Sequence, residues 1–298
     1  MSASLALSID CDGCTVARLE EVFRVWAGDL GLPVASSMFL FSRNPGAPPQ
    51  ASYLDGDRDA LRGLYGRGWI DTLHAMGDLV APVGRKEAER AFEALRADAV
   101  KLEVWTNHGA PGNPHNFALP SGGGDVPGSD AYVADLARAH GVRYVWVDDL
   151  THLVGQDRNA GKSEYYRTYP GASPLKKTAA RLVSDSGVRK LSLQPYSGNR
   201  QTEPLTLRDG TAVLKFRRFG RWRVDTISEL PGLLSPGTLD ALVENGGSLA
   251  LYLHIGPSRG ETPESFRAGL RTLEAVARRK EIRVMKTSDL LRAAAPTE

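Results

Sequence analysis

The feature that most constrains this chain is a short apolar segment that ends in acid, LALSIDCDG at residues 5–13. Leu5, Leu7 and Ile9 favour a buried strand, and the segment closes with Asp10 and Asp12, one residue apart, then Gly13. Successive side chains of a strand point to opposite faces, so residues two apart share one. Two carboxylates on one face at the tip of a buried strand repel each other. Such a pair needs a compensating cation, or one carboxyl must keep its proton. A polar strand end with Asp12-Gly13 as a turn would produce the same letters. The rest of the chain has to decide between the two.

Beyond Gly13 the chain exchanges helix and strand repeatedly. Val16, Leu19, Val22, Phe23, Val25 and Trp26 recur at helical spacing across 15–30, and Gly31 and Pro33 end that helix. Residues 34–41 read as a buried strand, 57–65 as a helix, 68–74 as a short strand, 85–97 as a helix and 102–105 as a strand. A loop rich in Gly, Pro and Asn covers 107–128, before a helix at 130–140 and a strand at 142–147. Later, 189–193, 212–219, 248–254 and 282–285 read as strands, and 238–244, 263–279 and 288–294 as helices. Residues 151–187, interrupted by Gly, Pro and Lys, give no regular element. Strands alternating with helices imply parallel βαβ units. A length of 298 residues suits one α/β barrel. The expected architecture is α/β, a distorted (β/α) barrel of about seven parallel strands. It forms a single domain over 1–298, with an irregular insertion at about 151–235.

Composition points to few partners. Thirty-seven basic against 35 acidic residues leave a net charge of +2, which gives no reason to expect nucleic acid or an anionic membrane. Cys11 and Cys14 stand in one C-D-G-C run with no second pair to build a structural zinc site. They are too close to form a disulfide framework, which suits a reducing compartment. No leader pattern precedes the first strand and no stretch is apolar enough to span a bilayer, so a cytoplasmic location is expected. Oligomeric form leaves no signature in the sequence. Two patterns read as decoys. Gly155 and Gly161 before Lys162-Ser163 are one residue too far apart for a phosphate loop. The run KFRRFGRWR at 215–223 mixes basic and aromatic residues, and reads most simply as a strand with one solvated face.

In a parallel barrel, functional groups collect at the C-terminal ends of the strands. Here those ends carry Asp10 and Asp12, His74 with Asp78 four residues on, Asn107-His108 with His115 further along, Asp148-Asp149, and His254. His140 and His152 read as structural or surface residues. The order and content of these segments resemble the polysaccharide deacetylase family, metal-dependent N- and O-deacetylases built on a distorted barrel. SIDCDG is similar to the family's first motif, with Cys11 between the acids. LYGRGWIDTLHAMGD resembles the second, with Asp78 in the place of the second histidine. WTNHGAP occupies the third but lacks Arg-x-Pro-Tyr. VWVDDL resembles the fourth and LYLHIG the fifth.

The resemblance implies roles. Asp10 would be the general base that activates water, and His254 the general acid for the leaving group. Asp12 and His74 would bind a divalent metal, zinc before cobalt, nickel or manganese, with Asp78 or His108 as third ligand. Asn107, His108, His115, Asp148 and Asp149 would line or support the substrate site. The expected activity is removal of an acetyl or formyl group from an N-acylated sugar or related small molecule, with no nucleic acid and no membrane span. Two alternatives stay open. One is a non-catalytic relative that binds a glycan or partner. The other is a metal-independent glycoside hydrolase built on Asp10 and another carboxylate.

Overall fold

The structure is a computed structural model that describes residues 3–109, 112–221, 223–256 and 262–296. Seven parallel strands form its centre: β1 (Ala3–Asp10), β2 (Ala35–Met38), β3 (Ile70–His74), β4 (Val104–Thr106), β5 (Tyr144–Thr151), β6 (Ala212–Phe219) and β7 (Gly247–His254). They pair in that order, and β7 returns to β1, closing a barrel surrounded by helices. This is the α/β barrel expected from the alternation of elements.

Side-chain parity sorts the strands into two layers, because alternate residues face opposite sides. Leu5, Leu7, Ile9, Leu249, Leu251 and Leu253 join the large outer core under the helices. Ala6, Val104, Tyr144, Trp146, Phe216, Ala250 and Tyr252 form a separate cluster inside the barrel. The helix Thr287–Ala294 adds Leu290 and Leu291 to that cluster and plugs one end. With both faces covered, the strands read as near-continuous apolar runs. At the other end the same inward parity delivers Asp10, His74, Thr106, Arg218 and His254, all of them buried.

Register fixes which of these groups are neighbours. β1 and β7 pair without a break from Ala3↔Gly247 to Asp10↔His254, so the two chemical residues end side by side. β3 and β4 set His74 beside Thr106. Above β2 and β3, the short strands Phe41–Arg43 and Gly77–Leu79 pair in parallel and carry Asp78. Gly77 has φ +135°, and a Cβ there would lie 1.9 Å from the Phe41 carbonyl oxygen, so only glycine fits.

The distortion lies between β6 and β7, where Leu251↔Phe219 is the registered pair. Below it the gap is filled by Gln156, which bridges Ser248 in antiparallel fashion. Gln201, whose side chain donates to the Arg217 carbonyl at 2.6 Å, fills the rest. β5 is irregular as well. It runs on through Asp148 and Asp149, its register with β6 breaks between Trp146 and Leu150, and Asp148 sits at φ +63°.

The stretch 151–235 differs from its sequence reading. It contains barrel strand β6, and the strand Thr202–Thr206 that pairs antiparallel with β6. Residues 151–187 hold helices rather than irregular chain: Lys162–Thr168, Pro174–Leu182 and Asp185–Lys190. Pro174, one of the prolines that read as interruptions, starts a helix. Ser173 caps it by accepting from the Lys176 amide, with Pro174 in its first turn. Residues 189–193, expected as a strand, are the end of the third helix and the turn after it. A small core of Leu153, Ala160, Tyr165, Tyr166, Ala180, Val188 and Leu193 holds this excursion together. No helix among the described residues is long and apolar enough to cross a membrane.

Candidate active site

A cavity of about 210 Å³ opens at the C-terminal end of the barrel. Asp10, Asp12, His74, Asn107, His108, Gly109, Trp146, Asp148, Arg223, Asp225, Tyr252 and His254 line it. The tips of β1, β3, β4, β5 and β7 all contribute, as the placement of acids and imidazoles after apolar strands predicts.

Asp12 is the hub. Its Oδ1 lies 2.7 Å from His108 Nε2, and its Oδ2 lies 3.1 Å from His254 Nε2 and 3.6 Å from His74 Nδ1. Burial opposes its charge, yet the imidazoles of His74, His108 and His254 hold the carboxyl well below the usual carboxylate range. Oδ2 is buried and accepts no hydrogen bond. The backbone around Asp12 is pinned by Gly256, where a Cβ would lie 2.0 Å from the Asp12 carbonyl oxygen.

His74 is fully enclosed. Phe39 stacks on its ring at 4.8 Å, His108 meets it edge-on at 4.8 Å, and Ser37 Oγ lies 3.3 Å from Nδ1. Burial pushes its pKa down to about 4, so the ring is neutral at neutral pH and carries a lone pair. His108 is raised despite burial, chiefly by Asp12.

Donor atoms of Asp12, His74 and His108 lie within 4.8 Å of one another. Two imidazoles and a carboxylate suit zinc and related divalent ions, and three protein ligands leave a coordination position open. Asp12 Oδ2 faces His254 as well as His74, so the carboxylate is shared between this cluster and the acid at the tip of β7. Asp10, Asp12 and His254 form a second cluster of the same size. There, however, Arg218 already neutralises Asp10, donating to both oxygens at 2.8 and 3.0 Å.

Asp78 lies one layer behind the position expected for a ligand. Its oxygens accept from Asn44 at 3.1 Å and Gln50 at 2.7 Å, and Oδ1 is 3.8 Å from His108 Nδ1. Its carboxylate stands behind the His108 ring, beyond hydrogen-bond distance. His108, not Asp78, lies with its donor atom beside those of Asp12 and His74.

The remaining expected residues divide. His254 lies 3.4 Å from Asp225 and 4.0 Å from Asp10. Burial works against its charge, but Asp12, Asp225 and Asp10 together raise its pKa to about 10. Asn107 faces the cavity, while its amide braces the loop by donating to the Phe117 carbonyl and accepting from the Phe117 amide. His115 does not reach the cavity. Its Nε2 accepts from the Val83 amide at 3.0 Å and its Nδ1 meets the Ala131 carbonyl at 2.7 Å, so both ring nitrogens serve the loop. Asp148 reaches the cavity, and burial raises its pKa to about 6. Asp149, its neighbour, points the other way and pairs with Arg217 at 3.0 Å and Lys215 at 3.5 Å.

Sequence reasoning misses Arg218, Asp225, Trp146 and Tyr252. Arg218 is fully buried, its guanidinium 4.3 Å from the centre of the Trp146 ring, with Thr106 accepting a further bond at 2.8 Å. It belongs to KFRRFGRWR, whose alternation reads as a solvated face. Instead Arg217 pairs outside the barrel and Arg218 inside it. The usable signal is charge balance, since the buried Asp10 requires a cation from somewhere.

No protein-family model and no curated protein sequence matches the chain. Solved structures do resemble it. One is a Mycobacterium smegmatis protein provisionally assigned as a polysaccharide deacetylase, with TM-score 0.50 and 13% identity over 98% of this chain and 90% of that one. Another is the 4-alpha-glucanotransferase of Thermococcus litoralis, with TM-score 0.49 and 14% identity over 98% of this chain. The chain spans 40% of that enzyme's length. A third is an alpha-mannosidase of Enterococcus faecalis V583, with TM-score 0.47 and 10% identity over 99% of this chain and 29% of the other. At such identities the likeness concerns the barrel fold.

Proposed function

We propose that this chain is a divalent-metal-dependent hydrolase that removes a small acyl group, acetyl or formyl, from an N-acylated sugar or a related molecule. The observation that carries the reading is the convergence of donor atoms from Asp12, His74 and His108 within 4.8 Å of one another at the mouth of the barrel. The order of sequence motifs and the barrel shared with the Mycobacterium smegmatis protein support it.

A divalent ion bound there would acidify its water and polarise the acyl oxygen. The chain's own residues supply the rest. Arg218 fixes the plane of the Asp10 carboxyl with two parallel bonds, and Asp10 accepts the proton of the attacking water. As oxygen joins the acyl carbon and the carbon–nitrogen bond breaks, His254 delivers a proton to the departing nitrogen. Asp225 holds its ring and favours the charged form. The products are a carboxylate and an amine.

A second reading rests on one observation, the Asp148 carboxyl raised to about 6 in the cavity that also holds Asp10. A carboxyl of raised proton affinity facing a second carboxyl across one cavity is what a metal-free glycoside hydrolase uses. Metal analysis of the purified protein, with assays for acetate or formate release and for glycoside cleavage before and after chelation, separates the two. Stoichiometric metal and chelator-sensitive acyl release bear out the first. Metal-free, chelator-resistant glycoside cleavage replaces it with the second.

A further inference from the structure

The net charge of +2 conceals a segregation. Residues 151–200 carry nine Lys and Arg against three Asp and Glu, a local charge of +6, so the remainder of the chain is at −4. Arg158 is paired with Glu164. Lys176, Arg181, Arg189 and Lys190 are exposed, and no salt bridge holds them among the described residues. On the helix Pro174–Leu182, Leu175 and Leu182 are 81% and 83% exposed. Seven residues is nearly two full turns, so the two leucines share one helix face. They contribute nothing to the small core of the excursion.

We propose that this helical excursion docks the protein on an anionic phospholipid surface, with Leu175 and Leu182 entering the interface and the surrounding cations facing the headgroups. Apolar side chains on one face of a short helix that itself carries exposed Lys176 and Arg181, in a segment of net charge +6, are the pattern of an interfacial anchor. The other occupants fit less well. A second copy of the chain would bring two surfaces of like charge together. Nucleic acid would reward the cations but not the leucines. A groove on a partner protein would reward the leucines but has no general need of the cations beside them. The anchor is independent of the cavity chemistry and survives the failure of either catalytic reading.

The test is sedimentation of the full chain with phosphatidylcholine vesicles, with and without phosphatidylglycerol. Binding is expected only to the anionic vesicles and falls as salt screens the headgroups. The double variant Leu175→Ser/Leu182→Ser weakens it about tenfold or more, and Lys176→Glu/Arg181→Glu does the same. Far-UV circular dichroism of each variant matches the parent. The proposal is overturned if the parent chain binds neither vesicle, or if the serine variant binds as tightly as the parent. A parent dimer that the serine substitutions convert to monomer assigns the face to self-association. Retention on a DNA or acidic-peptide column without vesicle binding assigns it to another partner. Either outcome removes the membrane reading.

Discussion

The rim of the barrel and the helical excursion treat charge in opposite ways. At the rim, Asp10, Asp12, His74, His108, Arg218, Asp225 and His254 are turned inward and matched to one another. The decisive pair, Asp10 with Arg218, joins residues 208 apart in sequence. In the excursion, contacts are local, the core is small, and the cations of the Pro174–Leu182 helix face solvent. A buried charge is tolerated only when something neutralises it. Unmatched charge therefore marks a surface, and matched charge in a cavity marks a site. That contrast separates the two functions proposed for a chain whose overall charge shows neither.

The largest expected effect tests the rim. Asp12→Ala or His74→Ala abolishes stoichiometric metal binding and lowers chelator-sensitive hydrolysis to background, measured by elemental analysis and product release. A variant that still binds one ion per chain breaks the ligand assignment. Next, Arg218→Met strands the buried Asp10 charge and destabilises the fold by about 3–5 kcal/mol in denaturant titration. Arg218→Lys recovers only part of this, because an ammonium cannot reproduce the two parallel bonds. Asp78→Ala keeps the ligands but frees His108, and weakens metal affinity about 10–100-fold. Equal affinity in competition titrations would return Asp78 to a purely structural role.

Two smaller effects sharpen the contrast. Asp148 has a folded pKa near 6 against about 4 in an unfolded chain. The folded state therefore binds the extra proton, and its stabilising contribution is present below pH ~4 and lost as pH rises through about 6. Partial solvent exposure limits this to about 1 kcal/mol. Asp148→Asn removes the dependence in that window, which thermal melts across the range will register. Leu175→Ser/Leu182→Ser, by comparison, shifts stability by no more than about 0.5 kcal/mol, since neither side chain leaves the solvent on folding. A larger loss would mean that the leucines pack in solution.

Much of the rim is legible because a strand's chemistry is written at its end. Asp10, Asp12, His74, His108 and His254 each follow an apolar run, and alternating elements send all those ends to one side of a barrel. Which of Asp78 and His108 stands beside Asp12 and His74, left open by the sequence, is not legible there. It depends on Phe41–Arg43 and Gly77–Leu79 forming a small sheet that sets Asp78 behind the imidazole. His115 looks equivalent to His108 in the sequence, but the fold of its loop turns it onto backbone groups. The helices at 162–190 escape notice because prolines and glycines read as interruptions when they stand at caps.

The sequence alone determined the layered alternation, the barrel, and the acids and imidazoles at its rim, because local periodicity and strand parity act over a few residues. Tertiary structure decided that Arg218 rather than solvent meets Asp10, that Asp225 steadies His254, and which carboxylate stands behind His108. Those choices depend on barrel closure and strand register. Both are set by packing between residues tens to hundreds apart in sequence, and no local pattern encodes them.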